Sequence, residues 1–271
     1  MVKSGLEDRS ADLASGKEIR VSPYRLATHL ATAFATFSLL VHTGFQALDG
    51  PRAASGDAAA AARRLLEAGV MRQGSNLRMM AMSVCGLAFV TAVSGAFVAG
   101  NDAGRCYNCF PKMTEEDWLP EEILAFRPMW RNFFENSATV QADHRALALT
   151  TTAAALGMLW YARRGAGTRT GISGGAGALW AALPGAPKAA TTATAGLVTA
   201  QASLGITTLL QCAPLPLAAS HQAGALTVLA SSMWAMHSLR FARMPPSAVP
   251  SSSPPLPNLK PISPRMPPLG S

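Results

Sequence analysis

MMAMSVCGLAFVTAVSGAFVAG, residues 79–100, runs for 22 positions without a charged side chain. A helix of that length is about 33 Å long, and a hydrocarbon core of roughly 30 Å takes about 20 apolar residues to cross. The stretch therefore reads as a membrane-spanning helix, and its Gly, Ala and Ser positions suit close packing against neighbouring membrane helices. Further segments of the same kind lie at about 26–47, 146–162, 193–210 and 222–239. They lack the polar stripe that a surface helix shows at 3.6-residue spacing. The expected fold is thus all-α, a polytopic membrane helix bundle of about five transmembrane helices spread over residues 26–242. An outer-side N-terminal segment, 1–25, precedes it, and a Pro/Ser-rich disordered tail, 243–271, follows.

The rest of the 271-residue chain agrees. Only 14% of residues are charged against 49% hydrophobic, and the mean hydropathy is +0.20. Soluble domains carry about a quarter charged residues, so an ordinary cytosolic enzyme is excluded. The net charge of +8 does not point to nucleic acid, because the basic residues fall between apolar runs rather than on one accessible face. Arg52, Arg63, Arg64, Arg72 and Arg78 outnumber the acids between the first two segments. Arg163, Arg164, Arg169 and Lys188 stand alone between the third and fourth, and Arg240, Arg243, Lys260 and Arg265 follow the fifth. The loop after Gly100 is acidic, with Asp102, Glu115, Glu116, Asp117, Glu121, Glu122 and Glu135. By the positive-inside rule the basic loops face the cytoplasm or matrix and the acidic loop the opposite side. The first 25 residues hold no apolar h-region and are not acid-poor, so no signal or transit peptide is expected.

His29, His144 and His221 open the first, third and fifth apolar segments. Alternating spans make those three run in one direction, which puts the imidazoles at matched depth near the outer surface. Ionisable groups in membranes point to function, and two neutral imidazoles on facing helices are an efficient way to hold heme iron. Arg25 and Arg145 stand close enough in sequence to pair with porphyrin propionates, or to reach lipid phosphate. His42 and His237 lie deeper and on other faces and read as structural. Cys106 and Cys109 form a CxxC that no second pair completes into a zinc site, which leaves a disulfide or two free thiols; Cys85 reads as helix packing, and Cys212 faces the outer side.

Six stretches carry a resemblance. NDAGRCYNCFPKM (101–113), WRNFFENSATVQADHRALA (130–148), QASLGITTLL (201–210) and PLPLAASHQAGALTVL (214–229), with VKSGLED (2–8) and VSPYRLATHLATAF (21–34), closely resemble successive motifs of the heme A synthase family in its mitochondrial and proteobacterial form. The match covers nearly all of residues 2–242. It implies an eight-helix membrane protein of two similar four-helix halves, each presenting a histidine pair to one heme. It also implies oxidation of the heme O methyl group to the formyl group of heme A, the prosthetic group of cytochrome c oxidase. Carried over by motif, His144 in QADHR and His221 in SHQAG are the axial ligands of a resident heme b, and His29 in RLATHL belongs to the substrate heme.

The chain departs from the family at its start, where three helices are expected before VKSGLED. With them would come the partner of His29 and a Glu-x-x-His motif whose carboxylate is the candidate catalytic group. In the half represented here, Gln141 occupies that position, and glutamine does not shuttle a proton as glutamate does. The CxxC is atypical of mitochondrial members, while some bacterial members have a more widely spaced cysteine pair there. The expectation is an N-terminally incomplete heme A synthase chain in the mitochondrial inner membrane, or a bacterial plasma membrane, acting on heme O. It would work as a homo-oligomer or with a separate N-terminal half, and without nucleic acid. The rivals are a bis-histidine electron-transfer cytochrome and a heme-free assembly subunit.

Overall fold

The computed structural model describes residues 21–53, 56–164, 177–244 and 247. Most of the expected N-terminal segment, Arg169 of the basic loop and nearly all of the Pro/Ser-rich tail lie outside the described residues. The described elements are helical: α1 (Pro23–Ala53), α2 (Asp57–Glu67), α3 (Met71–Gly100), α4 (Ala103–Cys106), α5 (Asn132–Glu135), α6 (Ser137–Arg164), α7 (Ala178–Ala182), α8 (Gly185–Leu210) and α9 (Leu215–Ser238), with short 3₁₀ turns at Met129–Arg131 and Arg240–Arg243. The protein is an all-α, multi-pass membrane bundle.

Five of these helices are long. The shortest, α9, has 24 residues, about 36 Å of helix, which exceeds the roughly 30 Å hydrocarbon core. Four of the apolar windows expected from sequence sit inside longer helices, because a helix does not stop where its apolar run stops; the fifth, 222–239, runs one residue past the end of α9 at Ser238. α6 starts at Ser137, nine residues before its window, where the Asn136 side chain accepts from the backbone N–H groups of Ala138 and Thr139 and caps the first turn. α1, α3 and α8 are each long and apolar enough to cross a membrane by themselves. α6 and α9 complete the bundle by packing against them. Their hydroxyls are satisfied locally: Thr150, Thr151 and Thr152 each donate to the carbonyl four residues back, which lets them sit in an apolar setting.

The long helices form a closed ring of four, in which α3 packs on α6, α6 on α8, α8 on α9 and α9 on α3; α1 lies outside the ring against α3 and α9. Phe34 of α1 meets Leu229 and Met233 of α9 in a small core that Cys85 of α3 borders, so Cys85 is a packing residue, as expected. A larger core fills the end that carries the basic loops, where Leu65 of α2, Leu77, Met158, Leu179 and Leu239 are completely buried. There Asp49 accepts from Arg240 at 2.8 Å and pairs with His237 at 2.8 Å, while Phe45 stacks on the His237 ring at 4.9 Å. This cluster fastens α1 to the end of α9 and gives His237 a structural role. His42 shares a hydrogen bond with Gln46, one turn along its own helix.

Candidate functional site

At the opposite end of the ring the helices part around a half-open cleft, apolar over most of its wall. Cofactor sites have this character: mostly apolar, with few polar groups fixing orientation. Those polar groups include His144 from α6 and His221 from α9. His144 is the eighth residue of its helix and His221 the seventh, so the matched depth read from sequence is present in the bundle, within two turns of the helix start.

Each imidazole lies against a glycine of the neighbouring helix. A Cβ on Gly95 of α3 would stand 3.2 Å from His144 Cε1, and one on Gly205 of α8 would stand 2.8 Å from His221 Cε1. Any side chain there would push the ring off its place. Each ring is also held by a polar group beside its glycine. Ser94 Oγ is 2.7 Å from His144 Nδ1 and donates its own proton to the Thr91 carbonyl at 2.8 Å. A hydroxyl has one proton, so Ser94 accepts from Nδ1–H, which fixes the tautomer of His144 and leaves the Nε2 lone pair available to a metal. Gln201 of α8 holds His221 twice: its amide nitrogen donates to the His221 carbonyl at 2.7 Å and lies 3.1 Å from Nδ1. The same nitrogen makes both contacts, so the amide donates to Nδ1. Its oxygen in that place would stand 2.7 Å from the His221 carbonyl oxygen, and iron at Nε2 therefore calls for the Gln201 amide to move off that carbonyl. Paired imidazoles with glycine cradles and second partners on Nδ1 form a donor set that fits heme iron.

The remaining sequence-derived residues fall elsewhere. His29 is the seventh residue of α1, matching the other two in depth, but it is exposed and does not line this cleft. Arg25 is exposed on the same helix. Arg145 does line the cleft. Its terminal nitrogens, however, donate to the backbone carbonyls of Tyr107, Cys109, Pro111 and Lys112, at 2.8–3.4 Å. It therefore binds the CxxC loop down over the cleft, where Phe110 forms part of the wall. Cys106, Cys109 and Cys212 are free thiols, and Asn108 reaches across to Cys212 Sγ at 2.9 Å. No group of three or more potential metal ligands occurs among the described residues.

The described structure is thus of the class of polytopic α-helical membrane bundles, with a four-helix ring that brings two imidazoles to one apolar cleft. The chain belongs to the cytochrome oxidase assembly protein family (COX15-CtaA), whose model matches residues 1–233. It is 40% identical over 241 residues to the heme A synthase of Arabidopsis thaliana, covering 89% of this chain and 46% of that protein. It is 35% identical over 240 residues to the heme A synthase of Nitrosospira multiformis, covering 89% and 56%. A heme A synthase-mitochondrial ferredoxin fusion protein of Schizosaccharomyces pombe is 37% identical over 245 residues, covering 86% and 37%. The chain spans about half the length of the curated relatives it matches. No solved structure matches it.

Proposed function

We propose that the chain provides the cofactor-bearing half of a heme A synthase, which oxidises the methyl group of heme O to the formyl group of heme A for cytochrome c oxidase, in the mitochondrial inner membrane. The carrying observation is the pair His144 and His221 on the wall of one cleft, each cradled by glycine and held at Nδ1. In this reading the two imidazoles hold heme b, which when bound supplies one-electron redox chemistry inside the bundle. Ser94 and Gln201 set the ring orientations, and the apolar wall keeps water from the iron. His29, exposed on α1, is the substrate-side ligand, in a site completed by further helices of the protein or of a partner chain. The ferredoxin fused to one relative supports a small electron carrier as redox partner.

The test has two parts. Full chain in lipid nanodiscs, supplied with heme b, is expected to develop low-spin bis-histidine absorption bands that are lost in His144→Ala and in His221→Ala. Cells supplied with heme O and expressing the chain, with whatever chain completes it, are expected to accumulate heme A. Missing bands refute heme binding; bands without heme A leave an electron-transfer cytochrome instead of a synthase.

A further inference from the structure

Arg78 stands immediately before the uncharged run 79–100, at the end of α3 that meets the basic loops, so its depth is the boundary between hydrocarbon and headgroups. Side chains on a helix lean toward its N-terminus, which for α3 is the side of the nearer water, and a long cation at a helix end ordinarily extends that way. Arg78 does the opposite. Its Nη1 donates to Met82 Sδ at 3.0 Å, one turn deeper, and its Nε is buried with no acceptor. A thioether is a weak acceptor, and a buried N–H with none is costly.

A second cation shares the corner. A Cβ on Gly74, one turn before Arg78, would stand 3.5 Å from Ala242 Cβ, so the 3₁₀ turn Arg240–Arg243 packs on this part of α3, and the Arg243 charge acts on Arg78. Arg240 of that turn has a carboxylate, Asp49, which His237 shares. The ion pairs formed among the described residues include neither Arg78 nor Arg243. Two like charges side by side repel, and an anion between them turns that repulsion into attraction. Phosphate oxygens suit the place, since they accept from several guanidinium N–H groups at once. The flank favours a lipid over a soluble ion: Met79 and Met82 are exposed beside Arg78, an apolar surface that an acyl chain covers and inorganic phosphate does not.

We propose that Arg78 and Arg243 form a seat for the phosphodiester of an anionic phospholipid in the leaflet on the side of the basic loops, with its acyl chains along Met79 and Met82. A zwitterionic lipid brings its own ammonium to the same corner and is disfavoured. The seat lies where α3 meets the turn that follows α9, so an occupied seat joins two members of the ring.

The experiment offers the full chain in detergent equal amounts of phosphatidylglycerol and phosphatidylcholine and counts the retained lipids by native mass spectrometry. The wild type is expected to prefer phosphatidylglycerol at least about tenfold, the scale of two arginines acting on an anionic headgroup. The double variant Arg78→Gln/Arg243→Gln is expected to lose most of that preference while holding phosphatidylcholine as before, which shows that it is folded. Arg243→Gln alone, at an exposed position, is expected to move the same way. Arg64→Gln/Arg72→Gln, which removes the same charge from exposed positions at the same end, is expected to keep the preference. Equal retention of the two lipids by the wild type, or a preference that survives the loss of Arg78 and Arg243 or falls as far without Arg64 and Arg72, overturns the seat. Displacement of phosphatidylglycerol by inorganic phosphate at equal concentration assigns the corner to a soluble anion and overturns the lipid.

Discussion

At Gly205 the distance between a hypothetical Cβ and the His221 ring is 2.8 Å, and at Gly95 the matching distance to His144 is 3.2 Å. The first is too short for any carbon pair and forces the ring or a helix to move; the second asks for a shift of a few tenths of an ångström. Gly205→Ala is therefore expected to cost about tenfold or more in heme affinity, the scale of losing a ligand's second-shell support, and Gly95→Ala distinctly less. Heme titrations of the two variants give the order directly, and a reversed order would mean that the rings are not seated as described. Glycine is required at both places for space rather than for an unusual backbone angle.

At the scale of elements, the acidic loop after α3 is fixed to the bundle through particular side chains. Asn132, completely buried, donates to the carbonyls of Phe126 and Met129 and accepts from the Phe126 N–H. Glu135 accepts from Arg131 Nε at 2.8 Å and from the Tyr24 hydroxyl of α1 at 2.7 Å. The Arg131 hydrogen bonds, then that of Tyr24, hold the Glu135 carboxyl below its ordinary pKa. A carboxylate lowered on folding adds stability that is complete above its unfolded pKa, about 4.3, and is lost as pH falls through the lower folded value. Melting curves in detergent are expected to show this acid-side loss in the wild type and a flatter pH dependence in Glu135→Gln, and parallel curves would refute it. The tie is a contact between α1 and a loop more than a hundred residues later, which a linear chain does not display. Apolar length exposed the five helices, and matched position exposed His144 and His221. Ser94, Gln201 and the two cradle glycines were illegible because each acts on a residue of another helix. Helix starts were misplaced for a related reason: caps such as Asn136 are polar and lie outside the apolar windows that located the spans.

For the whole molecule, charge and geometry separate the two ends of the ring. Cys106 and Cys212 are exposed beside the cleft, and the basic loops lie at the other end. A membrane-impermeant maleimide is expected to label both cysteines from the side opposite that on which α2 is accessible to protease, and labelling from the same side would reverse the topology argument. The fastening of the loop by Arg145 bears also on the order of events during synthesis. The carbonyls it grips and the helix that carries it are made in succession, so the loop is tied down and one imidazole placed as soon as α6 is in the bilayer. His221 arrives two long helices later. A porphyrin held between the two imidazoles must therefore be captured after α9 has been inserted, through whichever side of the ring closes last, and an assembly factor acting on the nascent chain would find only half of the ligand set.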